Sequence, residues 1–215
     1  TFLFLFIYIC FLMKNLNTYV TEKLRIAKDV MYYTYHPKDK DELRSLLEKL
    51  LKERGKNANL NDIDVSEITD MSRLFNNLEI SNIDISEWYV SNVTNMDFMF
   101  DGCENFNSDL SNWNTSNVTD MYNTFFGCKK FNSDLSKWDV SNVTHMGHMF
   151  DGCENFNSDL NNWDVSNVKS MHSMFARCKK FKSDLSKWNV SNGTDTKEMF
   201  YLCYSLKNRP TWYKK

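Results

Sequence analysis

Five cysteines recur at a constant spacing of 25 residues, at Cys103, Cys128, Cys153, Cys178 and Cys203. Thiols can form disulfides or bind metals, but five equivalent positions cannot all pair with one another. Zinc sites usually place two ligands close together in sequence, as in C-x2-C, and the sequence contains no such pair. The pattern therefore favours small buried hydrophobic side chains, with an occasional disulfide between repeats or a metal site as the alternatives.

Four aspartates follow the same spacing, at Asp109, Asp134, Asp159 and Asp184. A row of carboxylates could bind calcium or act on a polysaccharide. Aspartate in a turn also accepts hydrogen bonds from nearby backbone N–H groups, and the Ser- and Asn-rich context favours this structural role. The enzyme hypothesis depends on the carboxylates lining a groove.

Three histidines, His145, His148 and His172, could meet across two neighbouring repeats and hold a metal ion. They occur in only two repeats, and no carboxylate or cysteine is placed in the sequence to support them. We therefore expect these three histidines to lie on a solvent-exposed helix face rather than to bind a metal.

Charge alternates between repeats at one exposed position, occupied by Glu104, Lys129, Glu154 and Lys179. Opposite charges on neighbouring repeats attract, so this position is predicted to favour the correct register. The same alternation at Asn112, Lys137, Asn162 and Lys187 indicates a 50-residue unit of duplication.

N-glycosylation motifs occur at Asn92, Asn114, Asn117, Asn142 and Asn192. Because most of them belong to the repeated Ser-Asn-Val-Thr motif or its variant, we expect these residues to cap turns and helices.

All these positions belong to one 25-residue repeat, present in about six copies, and a fixed period of this length is typical of solenoids and propellers. We call residues that lie 25 positions apart a column. The predicted structural core consists of the columns of Met, Phe, Cys, Phe, Leu and Trp, which contain Met96, Phe100, Cys103, Phe106, Leu110, Trp113, Met121, Phe125, Cys128, Phe131, Leu135, Trp138, Met146, Phe150, Cys153, Phe156, Leu160, Trp163, Met171, Phe175, Cys178, Phe181, Leu185 and Trp188.

Two local patterns alternate within each repeat. Val93, Met96, Phe100 and Cys103 are spaced as one face of a short helix, whereas the following Ser/Asn-rich stretch is compatible with a strand. The sequence therefore predicts an α/β solenoid: a leucine-rich-repeat-like stack of about six 25-residue coils, each a short parallel strand plus a short helix.

Residues 39–54 carry a leucine stripe with helical spacing, with Asp39 or Asp41 as the N-cap and Gly55 after the C-terminus. We predict that this helix, within residues 38–55, caps the first repeat, although it could bind a partner instead. Residues 56–205 form the repeat region and 206–215 a C-terminal cap with Trp212.

The polar segment 13–37 precedes the helix, and residues 1–12 form an apolar stretch that is too short to span a membrane as a helix. It could be a truncated signal or membrane anchor, or upstream sequence if the chain begins at Met13, or a buried helix. The first interpretation predicts a cell-surface or secreted protein and the second a cytoplasmic one.

The repeat resembles that of the BspA-like leucine-rich-repeat surface proteins, in the variant common in mycoplasma-type surface lipoproteins. The pattern is carried by Phe131, Asn132, Asp134, Leu135, Ser136, residues 138–144, Met146, Met149, Phe150, Gly152 and Cys153, and its copies cover about residues 60–203. The resemblance implies a leucine-rich-repeat-like solenoid that is associated with adhesion or host interaction and has no catalytic residues.

Taken together, the sequence predicts a monomeric, non-enzymatic repeat protein that presents a surface to an unknown protein or glycan ligand, without cofactor or bound metal. A net charge of −2 gives no indication of a nucleic-acid partner. The alternatives are an intracellular scaffold, a viral host-interaction protein and, less favoured, a glycan-acting enzyme that uses the Asp column.

Overall fold

A computed structural model describes residues 33–213. The predictions for residues 1–12 and most of 13–37 therefore lie outside the described residues. Between residues 33 and 213 there is one α-helix, α1 (Lys40–Arg54), and no continuous β-strand. This part of the chain contains no helix that is long and apolar enough to cross a membrane.

The helix α1 lies in the stretch in which the leucine stripe predicts it. Asp39 is the N-cap, and its carboxylate accepts a hydrogen bond from the N–H of Glu42. Leu43, Leu47 and Leu50 are completely buried against the repeat region. The helix ends at Gly55, whose φ of 82° is easily adopted only without a side chain.

Successive repeats are joined in a constant register. Isolated parallel bridges link Asp70 to Asn95, Asn95 to Asp120, and so on through His145 to Ser170 and Asp195. Each bridge advances by one repeat, so every column brings like residues side by side. We propose that this register builds the solenoid expected from the sequence.

The short helix predicted around residues 93–103 is not formed. Phe98 has a φ of 55°, a left-handed conformation that a right-handed helix cannot contain. The N–H groups of Met96 and Phe98 donate to carbonyls 24 residues later, on Asp120 and Tyr122, whereas the N–H of Met99 donates back to Met96 in a turn. This alternation repeats in the following units, so the periodicity reflects turns rather than a helix.

The strand predicted after each turn does not form either. Side chains take the place of part of the backbone hydrogen bonding that a strand would need. The N–H of Leu110 donates to Oγ of Ser133 in the next repeat at 3.0 Å, and the N–H of Asn132 donates to Oδ1 of Asn107 at 2.8 Å. Ser108 donates its hydroxyl to the carbonyl of Ile83. Serine and asparagine therefore connect the repeats where strand residues were expected.

Stacked aromatic rings fill the interior. The rings of the Phe100 column are nearly parallel, with centroids 5.1–5.9 Å apart, and a second phenylalanine column packs beside it. Indole rings form a third stack, in which Nε1 of Trp138 donates to the carbonyl of Leu110. Offset stacking and satisfied indole N–H groups are the favourable arrangements for buried aromatic residues.

The two ends of the repeat array differ. At the N-terminal end, Nη1 of Arg44 in α1 donates to the carbonyls of Leu74 at 2.9 Å and Asn76 at 3.3 Å. These carbonyls have no preceding repeat to accept from, so Arg44 satisfies them. At the other end, the N–H groups that would bond to a following repeat, such as those of Glu198 and Leu202, find no acceptor among residues 33–213.

We predict that Arg44→Met lowers the free energy of unfolding by about 1–3 kcal/mol, because part-buried carbonyls lose their donor. Urea unfolding followed by tryptophan fluorescence measures the change. Glu48→Gln is the control, since it removes only the exposed ion pair with Arg44 and is expected to cost less than about 0.5 kcal/mol. Equal losses for the two variants would contradict the capping role.

Candidate functional site

The five repeat cysteines are free thiols, and all of them are buried. Each of the first four donates its S–H to a carbonyl of the preceding repeat, as Cys153 does to Phe125 at 3.0 Å. Burial raises the pKa of the Cys103 thiol to about 12 and that of Cys203 to about 11. These features give the column a packing role rather than a reactive one.

The column of Asp109, Asp134, Asp159 and Asp184 lies on the surface, and each carboxylate accepts a hydrogen bond from the N–H two residues later, as predicted. The N–H and hydroxyl of Ser136 lower the pKa of Asp134, and Ser186 lowers that of Asp184 in the same way. A general acid needs a raised pKa, so this environment does not suit one. Two of the aspartates line a shallow depression of about 280 Å³ with Asn161 and Lys182.

The histidines do not converge as a metal site. Among residues 33–213, no three His, Cys, Asp or Glu side chains are grouped so that they could hold a metal ion. The expectation that no carboxylate supports them was wrong: Nδ1 of His148 lies 3.0 Å from Oδ2 of Asp151, and Nδ1 of His145 lies 3.8 Å from Oδ2 of Asp120. Asp151 was overlooked because the residue type changes along its column, so the 25-residue repeat does not draw attention to it.

The alternating charges form the predicted contacts between repeats. Lys129 pairs with Glu104 at 2.7 Å, and Lys179 pairs with Glu154 at 2.8 Å. The side chains are half exposed, so each pair contributes little to the stability of the fold. Their role is to favour one register over another.

The asparagines of the Ser-Asn-Val-Thr motifs connect repeats instead of capping helices. Nδ2 of Asn142 donates to the carbonyl of Ser116 at 2.7 Å, and Asn92 and Asn117 make the same bond. Asn167 makes it too, although it is not followed by the glycosylation motif. The repeated asparagine is therefore explained by stacking.

The exposed columns cease to repeat near the C-terminal end, and there the surface forms a groove of about 360 Å³. We call it the terminal groove. It is lined by residues from three neighbouring columns: Phe126, Gly127, Lys129, Asp151, Gly152, Glu154, Arg177, Lys179, Leu202 and Tyr204.

One column shows how the terminal groove departs from the repeat. The column begins with Asn77 at a φ of 57° and continues with Gly102, Gly127 and Gly152 at 71–78°; it then places Arg177 at 60° and Leu202 at 54°. Left-handed backbone costs roughly 1–2 kcal/mol for a residue with a side chain. The two replacements add side chains to the groove at a backbone conformation that favours glycine. The repeat also accepts side chains in this conformation elsewhere, as at Phe98 and Asn123.

A buried carboxylate lies at the base of the terminal groove. Asp151 is 3% exposed, and its Oδ1 lies 2.9 Å from Nη2 of Arg177, an ion pair that lacks the angles of a hydrogen bond. Since a carboxylate can only accept, Nδ1 of His148 must donate to Oδ2. The guanidinium also lies over the ring of Phe126, 5.8 Å from its centroid, so two contacts hold Arg177 in place.

This arrangement is suited to recognition. Arg177 is half exposed and its position is restrained, while Leu202 and Tyr204 contribute exposed apolar surface. Among the described residues, no hydroxyl or thiol hydrogen-bonds to the other nitrogen of His148, so no nucleophile is aligned with the His148–Asp151 pair. The sequence signal that would have identified the groove is the break in the glycine column.

A titratable group outside the predicted columns is Asp97. Burial, with help from the neighbouring Asp120, raises its pKa to about 6. Its Oδ1 is buried and makes no hydrogen bond. The ionised form is therefore poorly accommodated at neutral pH.

A family model described as "Mycoplasma protein of unknown function, DUF285" matches the chain twice, over residues 44–144 and 109–213. The two matches overlap, as expected for a repeated unit, and together they span residues 44–213. No curated protein and no solved structure matches the chain.

We predict that the repeat cysteines of the native protein resist thiol reagents. Their raised pKa values leave little thiolate at pH 8, and burial blocks access. Peptide-level mass spectrometry of alkylated protein should show Cys203, which is 8% exposed, reacting before Cys128, Cys153 and Cys178. Full reaction in urea is the control, and labelling of native Cys153 at the rate of a free thiol would contradict the structure.

Asp97→Asn should stabilise the protein at neutral pH. A folded-state pKa above the unfolded value means that the contribution of Asp97 to stability is lost as pH rises through about 6. After allowance for solvent screening, we expect a gain of about 1 kcal/mol at pH 7.5 that disappears near pH 4. Asp134→Asn, whose carboxylate has a lowered pKa, should show no such gain, and a pH-independent effect of Asp97→Asn would refute the assignment.

Proposed function

Because the chain belongs to the mycoplasma repeat family described as DUF285, we propose that it is a non-enzymatic repeat protein that presents a surface to a protein or glycan ligand. We further propose that it is a BspA-like module of the leucine-rich-repeat type, that it lies at the cell surface or is secreted, and that it acts in adhesion. What supports it is the contrast between an interior of like residues and a surface on which a few residues break the pattern.

The observation that carries the proposal is the replacement of glycine by Arg177 and Leu202 at left-handed positions of the terminal groove. Neither side chain is buried in the core, and Arg177 is 48% exposed, so packing does not account for the residues chosen. A ligand that contacts the guanidinium and the neighbouring apolar surface would account for both. Exposed arginine and tyrosine are also the residue types that contribute most at binding interfaces.

The enzyme alternative has less support. In each carboxylate of the Asp column, Oδ1 accepts a hydrogen bond from an N–H of its own turn. An intracellular scaffold would use the same surface, and it differs from the adhesion proposal in location rather than in chemistry.

Reversion of the groove to the residue of its own column tests the proposal. The double variant Arg177→Gly/Leu202→Gly removes the two non-repeating side chains at positions where the backbone already suits glycine. Relief of left-handed backbone at residues 177 and 202, roughly 1–2 kcal/mol each, counters the loss of the ion pair to Asp151. Circular dichroism and thermal unfolding establish that the variant is folded before its binding is compared. We predict that it loses binding by about tenfold or more on an array of glycans and host extracellular proteins.

The control for this experiment is Lys137→Asn/Lys187→Asn. It also exchanges residues for those found elsewhere in their own column, Asn112 and Asn162, but does not alter the groove. Its binding should match that of the wild-type protein. Unchanged binding by the folded groove variant to every ligand that the wild-type protein recognises would overturn the groove as the binding site.

A further inference from the structure

A second surface, separate from the terminal groove, is lined by lysine, asparagine and serine side chains. It is a depression of about 550 Å³ whose lining residues we call the amide–lysine patch: Lys130, Asn132, Asn155, Asn157, Lys180 and Lys182, with Ser205 at one end. No carboxylate lines it, in a chain whose net charge is −2. The patch therefore concentrates positive charge locally on an otherwise weakly acidic protein.

The described acidic residues near the patch form no ion pair with these lysines. Asp159 and Asp184, which line the adjoining depression together with Lys182, accept hydrogen bonds from N–H groups of their own turns. Glu104 and Glu154 are held by Lys129 and Lys179, at 2.7 and 2.8 Å. Among the described residues, no ion pair involves Lys130, Lys180 or Lys182, and all three side chains are exposed. Their charges are available to a ligand.

The amide groups of the patch are fixed by the repeat register. Oδ1 of Asn132 accepts from the N–H of Asn157 at 2.8 Å, and Oδ1 of Asn157 accepts from the N–H of Lys182 at 3.0 Å. Because Oδ1 of each asparagine already accepts a hydrogen bond, the Nδ2 group is the part of the amide that can still donate. In the part of the chain described, neither Nδ2 finds an acceptor, so both remain donors for a ligand.

The lysine positions of the patch also accommodate asparagine in other repeats. Lys182 follows Asn107, Asn132 and Asn157 in its column, where the asparagine makes the bond to the next repeat. Lys130 and Lys180 alternate with Asn105 and Asn155. Asparagine is therefore compatible with each of these positions, and stacking does not require the charge.

We propose that the amide–lysine patch binds a carboxylated or sulfated glycan. Lysines pair with the anionic groups, and the fixed amides donate to ring and hydroxyl oxygens of the same chain. No aromatic side chain lines the patch, so it lacks the stacking surface that single-stranded nucleic acid uses. Three lysines are also fewer than the 6–10 phosphate contacts typical of duplex binding.

Titration calorimetry of the full chain with a heparin decasaccharide and with a hyaluronate oligosaccharide tests the proposal. The first ligand carries sulfate and carboxylate and the second only carboxylate, so the pair identifies the anionic group preferred. We expect binding of at least one of them to weaken by about tenfold or more between roughly 50 and 200 mM salt. The variant Lys130→Asn/Lys180→Asn/Lys182→Asn, in which every change restores an asparagine of the same column, should lose that binding by about tenfold or more.

The control variant Lys137→Asn/Lys169→Thr/Lys187→Asn removes the same charge, again with residues of the same columns, and leaves the patch intact. It should bind as the wild-type protein does. Absence of binding to both glycans, equal losses in the two variants, or displacement of the glycan by equimolar DNA would each overturn the proposal. The groove variant Arg177→Gly/Leu202→Gly should retain glycan binding here, so failure of this inference leaves the groove proposal unaffected.

Discussion

The structure depends on the hydrogen bonds between alternate N–H groups of one repeat and carbonyls 24 residues later. In the unit around Phe150, the donors Met146, His148 and Phe150 pair with the carbonyls of Ser170, His172 and Met174 at 2.7–2.9 Å. The intervening N–H groups close turns within the repeat. A single register thus satisfies the backbone and brings like side chains together in columns.

This register explains the composition of both interior and surface. A buried column must accept the same side chain at every level, which is why phenylalanine, tryptophan and cysteine recur with so little variation. Exposed columns are under no such packing constraint, and there the register requires only that neighbours be compatible, as in the Glu154–Lys179 pair. Residues that depart from their column therefore indicate function more directly than residues that repeat. The terminal groove contains two such departures, Arg177 and Leu202, and the amide–lysine patch contains one, Lys182.

Much of the organisation was predictable from the sequence, because a period repeated several times is a stronger signal than any local propensity. The spacing identified side chains such as Met96 and Trp138, which lie buried in the structure, and the leucine stripe placed α1. The local conformation was not predictable, because residues spaced as Val93, Met96 and Phe100 suit a helix and a series of turns equally well. The residue type of Phe98 also gives no indication that its backbone is left-handed. The contact between Asp151 and Arg177 was missed since the two residues lie in different columns of neighbouring repeats.

Amide hydrogen exchange measured by NMR would test the register most directly. In the last repeat the N–H groups of Thr196, Glu198 and Leu202 have no acceptor among the described residues, whereas their counterparts Met171, Ser173 and Arg177 bond to the next repeat. The account predicts strong protection at 171, 173 and 177 and exchange at least about a hundredfold faster at 196, 198 and 202. Equal protection in the two sets, or uniform protection from residue 196 to 203 as in a helix, would contradict it.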